Sequence, residues 1–472
     1  MTAQTILPAN TLSGGYDVAN SVRLFSNTFL HKTPTGDSNK QVFTFSTWLK
    51  RGNITAEMGI FTAGNDSNSN GFFTVMFTDA DELNIQFYDG AFDDLKTNRK
   101  FRDVSAWYHI VVAVDTTDGT AANRIKVYVN GVQESSFASS DYPDQNQNFD
   151  INEDANDVYV GVRRNSGGSP AGYYDGYIAE AVLIDGSQLA ADQFGEFDSD
   201  SGIWKPIDVS GLTFGTNGFY LDFQASGNLG NDANGGTDLT ENNIVATDQS
   251  TDTCTNNFAT LNILDPVQSD ATYSEGNLKW ATTTNGHFFW GRSTIGVSTG
   301  KWYAEFKATS IAEHSYVGIV NNGPEDNTTV IAGGGGAATT TGAYEWAYKT
   351  SDGQIYNTDG GSSYGNTYGD GAIIGVLLNL DDNEISFSKD GTVQNSGTAV
   401  SITAAASTPH GFYFLAVADG TSGTSATFEA NFGSPPYSIS SGNADANGHG
   451  NFEYAVPSGY LALCTKNLAG NG

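Results

Sequence analysis

Two short acidic stretches contain side chains that could bind a metal ion. The candidate side chains are Asp89, Asp93 and Asp94 in one stretch, and Asp150, Glu153, Asp154 and Asp157 in the other. Carboxylate and carbonyl oxygens are the ligands that Ca²⁺ prefers in proteins. Calcium is therefore the one cofactor that the residue pattern makes a candidate, at either of two predicted loops.

Motifs for catalysis are missing from the sequence. The six histidines are scattered, without HExxH or His/Cys pairing, so no zinc site is predicted, and His109 is interpreted as an ordinary strand residue. There is no GxSxG elbow, and the glycines at 333–336 lack the Lys-Ser/Thr of a phosphate-binding loop. A glycosidase needs two carboxylates at a fixed separation, but no E-x-D-x-x-E run occurs and Glu180 is isolated in its strand. The prediction is a protein without enzymatic activity.

Aromatic residues in a polar stretch are the candidates for ligand contact. Tyr364 and Tyr368 stand among Gly, Ser, Asn and Asp residues, which is typical of a surface loop. Aromatic rings stack on sugar faces and anchor protein interfaces at low entropic cost. We therefore predict that these two tyrosines contact a ligand.

Charge restricts the function classes further. The chain carries 53 acidic and 21 basic residues, a formal net charge of −32. No basic stripe exists to contact phosphates, so nucleic-acid binding is disfavoured, and an acidic surface repels anionic lipid. The simplest interpretation of the acidity is solubility at high ionic strength, where salt screens self-repulsion.

The cysteines and the N-terminus indicate the cellular context. Cys254 and Cys464 allow at most one bridge, no CxxC motif occurs, and two free thiols are the favoured interpretation. The first residues lack the basic and hydrophobic regions of a signal peptide, and no apolar run reaches the length of a membrane span. We therefore expect neither classical secretion nor membrane insertion.

The composition and the alternation of the sequence predict an all-β fold, so strands and their turns must position any site. Glycine at 56 with 28 Phe and 22 Tyr is typical of sheets and tight turns. A buried strand over 373–380 runs into Asp381-Asp382-Asn383, and an alternating strand follows over 384–388. This pattern predicts a hairpin with one apolar and one solvated face. The Asn130-Gly131 pair predicts a second hairpin turn.

Several motifs between Tyr273 and Tyr437 resemble, in their order, the SPRY (B30.2) domain. They are GKWYAEF from Gly300, VGI from Val317, GDGAIIGVLLNLDDNEISFSKDG from Gly369, and FYFLAV and FEANFG from Phe412 and Phe428. The resemblance implies a bent antiparallel β-sandwich that binds partners through its loops, with Trp346, Tyr348 and Tyr356 in packing positions. A Gly/Ala/Thr insertion at 333–341 and Asn379, in place of the usual acid, depart from the pattern.

An earlier set of motifs, from about Ser13 to Asp198, resembles the laminin-G/concanavalin-like jelly roll. They are FSTWLKRG from Phe45, WYHIVVAVD from Trp107, IKVYVNGV from Ile125, VYVGV from Val158 and GYIAEAVLIDGSQLAADQF from Gly176. The resemblance implies two antiparallel sheets with a concave face and rim loops, often used to bind carbohydrate or protein.

The fold class predicted is all-β, with two antiparallel β-sandwich domains joined by a polar connector. The predicted divisions are a lead-in at 1–20, a jelly roll at 21–223, a connector at 224–265, a SPRY-like sandwich at 266–437, and a tail at 438–472 that packs back on that domain. The connector is rich in Asn, Asp, Gly and Thr, and no basic residue stands between Lys205 and Lys279. That composition predicts an extended, solvated segment, with a course across a domain surface as the alternative.

The combination of the two sandwiches with TNNFATLN, from Thr255 to Asn262, resembles structural proteins of marine tailed bacteriophages. The resemblance implies a virion surface protein, made in the host cytoplasm and released by lysis. We expect a tail-fibre or receptor-binding component that is homo-oligomeric, contacts other tail or capsid proteins, and recognises a host-surface glycan or protein. A capsid decoration or head-fibre protein is the alternative, and a polysaccharide-degrading enzyme is a further one.

Overall fold

A computed structural model describes residues 15–264, 271–282, 289–311, 313–321, 344–357, 360–420 and 425–471. These residues are mostly strands and turns, which confirms the predicted all-β fold. They divide between Thr255 and Asn256 into two compact units. Most of the predicted lead-in and the insertion at 333–341 lie outside the described residues. Within the described ranges, no helix is both long and apolar enough to cross a membrane.

The described residues of the first unit form strands, one α-helical turn, α1 (Ala121–Arg124), and two 3₁₀ turns, Ala191–Gln193 and Ala246–Asp248. Its first strands are β1 (Ser21–Leu24), β2 (Phe29–Lys32), β3 (Val42–Arg51), β4 (Met58–Ala63), β5 (Phe73–Phe77), β6 (Glu82–Tyr88), β7 (Phe92–Lys100), β8 (Trp107–Asp115), β9 (Ile125–Val129) and β10 (Val132–Gln133). The next are β11 (Phe137–Ser140), β12 (Val158–Val160), β13 (Val162–Arg164), β14 (Pro170–Tyr173), β15 (Gly176–Asp185), β16 (Gly195–Phe197), β17 (Trp204–Pro206), β18 (Phe219–Leu221), β19 (Thr240–Asn242) and β20 (Gln249–Ser250).

Two antiparallel sheets enclose the core of this unit. The first sheet has the order β10-β9-β8-β3-β15-β1-β20, with β18 also on β15, and the second has the order β11-β7-β6-β5-β4-β12-β2-β19. In β3, Phe43, Phe45 and Leu49 face the core, whereas Trp48 faces the outer side. The turn between β9 and β10 uses left-handed backbone at Asn130-Gly131, with φ of 48° and 78°, which confirms that predicted hairpin.

The outer face of the first sheet is covered by residues that follow β15 in the sequence, such as Trp204 and Phe214. Trp204 donates from Nε1 to His109 Nδ1 at 3.0 Å, and His109 Nε2 lies 2.9 Å from Ser46 Oγ. Burial lowers the pKa of His109 to about 3, so its imidazole is neutral at pH 7. His109 is a buried, hydrogen-bonded strand residue, as predicted.

The predicted solvated connector is wrong as far as Thr255. Its strands β19 and β20 pair with β2 and β1, and Leu229 and Leu239 are buried in the core of the first unit. Polar residues dominate this segment, and such a composition is typical of solvated chain. Its few apolar side chains nevertheless pack in the core and hold the segment on the domain. Residues 224–255 therefore form part of the first sandwich.

The second unit starts at Asn256 and ends with the helix α2 (Thr465–Asn471). Its described strands begin with β21 (Ala271–Ser274), β22 (Lys279–Thr282), β23 (Phe289–Val297), β24 (Lys301–Ser310), β25 (Ser315–Val320), β26 (Glu345–Lys349), β27 (Gln354–Asn357) and β28 (Gly360–Ser363). They continue with β29 (Ile373–Asn379), β30 (Glu384–Lys389), β31 (Thr392–Val393), β32 (Val400–Ser401), β33 (Tyr413–Asp419), β34 (Thr427–Asn431) and β35 (Leu461–Ala462).

Two further sheets enclose the core of the second unit. The third sheet has the order β21-β22-β34-β24-β29-β30-β31, with β32 on β30 and β35 on β24, and the fourth has the order β23-β33-β25-β26-β27-β28. Trp302 and Phe306 from the third sheet pack with Val317 and Ile319 from the fourth. The predicted hairpin is present as β29 and β30, with Asn379 opposite Glu384 and Asn383 at a φ of 57°.

The prediction that one face of this hairpin is solvated is wrong. Every residue of β29 is buried, because Leu377 on the outer face packs with Tyr303, Phe452 and Ala462. The C-terminal segment supplies this cover, and its strand β35 pairs in parallel with β24. The carboxylate of Glu305 fixes the segment by accepting hydrogen bonds from the backbone N–H groups of residues 453 and 454 at 2.9 and 2.8 Å.

Cys254 and Cys464 are both free thiols, as favoured from the sequence.

Glu180 is a buried acid in a strained position of the first unit. The register of β15 against β3 shifts between Ala179 and Val182, and Glu180 has a left-handed φ of 50°. Its carboxyl group accepts a hydrogen bond from the hydroxyl of Tyr220 at 2.7 Å, and that hydroxyl lies 2.9 Å from the hydroxyl of Tyr16. Burial raises the pKa of Glu180 to about 8, since it outweighs the hydrogen bonds that favour the carboxylate. Glu180 is therefore a largely protonated acid at neutral pH.

This position gives the protein a defined pH dependence of stability. Because the folded state holds a proton on Glu180 that the unfolded chain releases near its ordinary pKa of 4.5, the free energy of unfolding contributed by Glu180 falls as the pH rises from about 5 to about 8. We expect Glu180→Gln to flatten this decline, as measured by denaturant unfolding at several pH values. An unchanged slope in the variant would show that Glu180 is not the titrating group.

Candidate functional site

The structure places the predicted ligand tyrosines in the core of the second unit, so their predicted surface position is wrong. Tyr364 and Tyr368 are 6% and 5% exposed, and both rings pack against Tyr348. The Tyr364 hydroxyl accepts the backbone N–H of Phe387 at 2.8 Å, and the Tyr368 hydroxyl donates to the carbonyl of Tyr348 at 2.8 Å. Their polar neighbours form turns, and the two aromatic rings point from these turns into the core. The loop-like composition does not predict this direction.

The predicted calcium ligands lie in two separate loops of the first unit. Asp89 lies in the turn after β6, Asp93 and Asp94 open β7, and the second set precedes β12. In that second set, Asp154 is exposed, Asp157 accepts the hydroxyls of Thr33 and Tyr159, and Asp150 packs against Gly71, where burial raises its pKa to about 6. Across the described ranges, no three His, Cys, Asp or Glu side chains are arranged to hold a metal ion. Calcium binding stays a prediction without support from the geometry.

A different surface of the first unit combines aromatic, amide and charged side chains. Leu83, Ile85 and Phe87 of β6 face the core, so the alternate residues of β6 and β7 point outward. The outward set, which we name the β6–β7 face, is Asn84, Gln86, Tyr88, Phe92, Asp94 and Lys96. The strand register sets these residues in three cross-strand pairs: Asn84 with Lys96, Gln86 with Asp94, and Tyr88 with Phe92.

The aromatic end of the β6–β7 face is accessible. Phe92 is 45% exposed, and its ring meets that of Tyr88 edge to face at 5.0 Å between centroids. An edge-to-face partner fixes the orientation of an exposed ring, so little conformational freedom is lost when a ligand stacks on it. This pair can therefore act as a preformed stacking surface.

The amide side chains of the face have buried oxygens without hydrogen-bond partners among the described residues. Asn84 is only 3% exposed, and its side-chain oxygen has no hydrogen-bond partner among the described residues. The side-chain oxygen of Gln86 is likewise without a partner there. A buried acceptor without a donor costs about 1–3 kcal/mol. Because both oxygens are buried, a ligand on this surface does not reach them, and the accessible part of the face is its aromatic end.

The electrostatic potential around the face is negative. Lys96 is the one cation of the face, and its ammonium lies 3.4 Å from the carboxylate of Asp94. The pKa of Asp93 is raised by burial, and the nearby Asp89, Asp141, Asp94 and Asp144 raise it further. Acidic side chains thus outnumber basic ones at this end of the second sheet.

A hairpin lies over the outer side of the same sheet beside this face. Strand β13 crosses β4 so closely that a Cβ on Gly59 would lie 2.2 Å from the backbone nitrogen of Arg163. The Thr62 hydroxyl also donates to the Val162 carbonyl at 2.9 Å. The hairpin of β13 and β14 thus lies over β4, which one strand, β5, separates from β6.

The sequence contains a signal for this face. The run from Glu82 to Tyr88 alternates polar and apolar residues, and Tyr88 and Phe92 bracket a turn that contains Asp89-Gly90. Aromatic residues on both sides of such a turn become cross-strand neighbours when the strands pair. The pairing partner β7 was missed because its polar sequence has weak alternation.

Comparison with known families gives two matches in this chain. Residues 26–192 match a laminin G family model described as the concanavalin A-like lectin/glucanases superfamily, and residues 301–431 match the SPRY domain. Both are folds that suggest a binding function. No curated protein matches the sequence.

Several solved structures are similar to part of this chain. The SPRY domain of human HERC1 is 15% identical and aligns 34% of this chain with 91% of its own, at a TM-score of 0.26. A putative carbohydrate binding protein from Bacteroides ovatus is 17% identical over 49% of this chain and 60% of its own, at a TM-score of 0.32. A heptameric SAP-like pentraxin from Limulus polyphemus is 14% identical over 49% and 98%, at a TM-score of 0.29.

The buried position of Tyr368 can be tested by substitution. Removing a buried aromatic ring costs about 3–5 kcal/mol, whereas an exposed substitution stays within about 0.5 kcal/mol. We therefore expect Tyr368→Ala to lower the free energy of unfolding by several kcal/mol in denaturant titration. Tyr368→Phe, which keeps the ring and removes the donor to Tyr348, should cost about 1–3 kcal/mol. If neither variant changed the free energy of unfolding, the buried position of Tyr368 would be contradicted.

Proposed function

Because the chain carries a concanavalin A-like domain followed by a SPRY domain, we propose that it is a non-enzymatic protein that binds glycans through the β6–β7 face. The observation that carries this proposal is the Phe92–Tyr88 pair, in which Phe92 is 45% exposed and is held edge to face by Tyr88. The face belongs to the concanavalin A-like domain, whose sheets provide a rigid support for it.

The chemistry of the face matches that of a sugar ring. A sugar has an apolar C–H face that packs on aromatic rings and a rim of hydroxyls that donate and accept hydrogen bonds. Phe92 and Tyr88 offer the aromatic surface, and Gln86, Asp94 and Lys96 offer polar groups on the adjacent strand positions. A binding site of this kind needs no residue that transfers protons, and the proposal assigns none.

We propose further that the protein stands on the surface of a tailed-phage particle and acts in host recognition. The order of the two domains, the TNNFATLN stretch, the acidity and the low cysteine content support this proposal. In this setting several copies would assemble with other virion proteins, and the glycan would belong to the host surface. The chain would be made in the host cytoplasm and released by lysis.

The glycan proposal predicts different effects for two similar phenylalanines. Phe197 is 53% exposed and packs edge to face on Trp204 at 4.9 Å, which nearly reproduces the setting of Phe92 on a different pair of strands. We expect Phe92→Ala to weaken glycan binding about tenfold or more, the effect of losing a central aromatic contact. Phe197→Ala should leave binding unchanged, and both variants should keep the melting temperature within a few degrees.

The measurement is a glycan array with the full chain, followed by titration calorimetry with any glycan bound. Equal effects of the two variants would remove the β6–β7 face from the proposal. Release of reducing sugar from host polysaccharide by the purified protein would contradict a non-enzymatic role.

The proposal that the protein lies on a phage particle can be tested by electron microscopy. We expect gold-conjugated antibody against this chain to label the tails of intact phage particles, and the purified chain to compete with adsorption. Labelling spread over the heads, with adsorption unchanged, would instead assign the chain to capsid decoration. Unlabelled particles from a preparation known to contain the protein would contradict the virion proposal.

A further inference from the structure

We propose that Tyr16, Tyr220 and Glu180 form a pH-sensitive latch, which holds residues 15–20 on the first unit while the Glu180 carboxyl group is neutral and releases them when it is ionised. This device is independent of the proposed glycan-binding function. It depends on three features: the few groups that hold residues 15–20, the two hydroxyls that connect them to Glu180, and the charges around Glu180.

The N-terminal segment, residues 15–20, is held by few groups. Strand β1 begins only at Ser21. Tyr16 and Val18 pack in the apolar cluster on the outer face of the first sheet, and Val18 is 4% exposed, whereas residues 15, 17 and 19 are exposed. The hydroxyl of Thr255 accepts a hydrogen bond from the Val18 N–H at 3.1 Å and donates one to the Val18 carbonyl at 3.2 Å. The attachment of the segment therefore depends mainly on Tyr16 and Val18.

Two hydroxyls connect the Glu180 carboxyl group to this segment. Glu180 is 5% exposed, and its left-handed φ marks the point where the register of β15 against β3 shifts. The Tyr220 hydroxyl donates to its carboxyl group at 2.7 Å, and the Tyr16 hydroxyl lies 2.9 Å from that of Tyr220. Tyr220 is fixed in β18, which pairs with β15, whereas Tyr16 belongs to the segment. Tyr16 can therefore move away from this cluster without separating two paired strands.

The charged groups that face Glu180 are acidic. Asp222, which follows β18, and Asp208, which follows β17, both raise its pKa by repulsion, in addition to the larger effect of burial. Burial raises the pKa of the neighbouring Cys254 thiol, so this group is neutral, and Asp17 of the segment is a further acid near the thiol. These surroundings disfavour the ionised form of Glu180.

Cations do not compensate an ionised Glu180. Across the described part of the chain, no cation contributes to its pKa. Lys205 lies beside the start of the segment, where a Cβ on Gly15 would be 3.5 Å from its ammonium nitrogen. That ammonium is already paired with Asp198 at 3.1 Å and with Glu196 at 3.4 Å. An ionised Glu180 thus has hydroxyl donors but no counter-charge, and contact with water is the remaining way to stabilise it.

Release of the segment lets water reach Glu180, and this couples release to pH. With the segment in place, burial raises the pKa of Glu180 to about 8 from its ordinary value of 4.5. Between about pH 5 and about pH 8, the held state therefore keeps a proton that the released state gives up. In this range the ratio of released to held molecules rises about tenfold per pH unit, and it levels off above about pH 8.

The test is hydrogen–deuterium exchange of the full chain, measured by mass spectrometry and corrected for the intrinsic exchange rate at each pH. Between about pH 5 and about pH 8, we expect the protection of the peptide that contains residues 15–20 to fall about tenfold per pH unit, and then to level off. Peptides from β15 and β18 should stay protected, because only the segment is released. A segment whose protection is independent of pH, or falls in parallel with that of the strands, would overturn the latch.

Two variants separate the Glu180 carboxyl group from overall charge. Glu180→Gln cannot ionise, so the protection of the segment should become independent of pH. Asp79→Asn removes one negative charge at the exposed turn between β5 and β6, and should leave the pH profile unchanged. A profile in Glu180→Gln that equals that of the original chain would overturn the latch. Flattened profiles in both variants would assign the pH dependence to overall charge, which overturns it as well.

A third variant tests the hydroxyl that fastens the segment, and serves also if Glu180→Gln fails to fold. Tyr16→Phe keeps the ring in the apolar cluster and removes the hydrogen bond to Tyr220. We expect it to lower the protection of residues 15–20 about threefold or more at pH 5, with the peptides of β15 and β18 unchanged. Unchanged protection of the segment would show that the Tyr16 hydroxyl does not hold it, and the latch would be overturned.

Discussion

Strands that are apolar on both faces must be covered on both faces, and this requirement organises each unit of the protein. All residues of β15 in the first unit and of β29 in the second are buried. One face of each strand lies in the core between two sheets, and the other is covered by chain that arrives much later in the sequence. The β6–β7 face differs, because β7 keeps only two fully buried residues. The surface that remains open is thus set by where the covering segments end.

The local pattern of the sequence predicted the strands but not the cover over them. Alternation, the Asn130-Gly131 turn and the ordered motifs of both families depend on neighbouring residues, and the structure confirms them. The burial of Tyr364 and Tyr368 depends on contacts with Tyr348, which lies far enough away in sequence that loop composition carries no sign of it. A polar neighbourhood predicts a turn, but it does not predict which side of the turn an aromatic ring occupies.

Electrostatics explains why the segment before Thr255 belongs to the first unit. Three of its acids approach buried cations: Asp232 lies 3.8 Å from Lys32, Asp248 lies 3.5 Å from Arg23, and Asp252 lies 2.8 Å from Lys50. Removing one partner of a buried ion pair is strongly destabilising, since the remaining charge is left without compensation. Detachment of this segment would uncover all three cations. Acidic residues that composition alone assigns to a solvated connector therefore hold the segment on the domain.

The same distinction between paired and unpaired carboxylates determines what the acidity can contribute to recognition. A net charge of −32 acts on a ligand at long range only while salt does not screen it, and the Debye length is about 8 Å at 0.15 M and about 3 Å at 1 M. At high ionic strength, recognition of a ligand must therefore come from groups in direct contact with it. On the β6–β7 face the accessible group is the aromatic pair of Phe92 and Tyr88, because the Asp94 carboxylate is paired with Lys96. Overall acidity then affects how fast a cationic ligand arrives, and these contacts decide whether it stays.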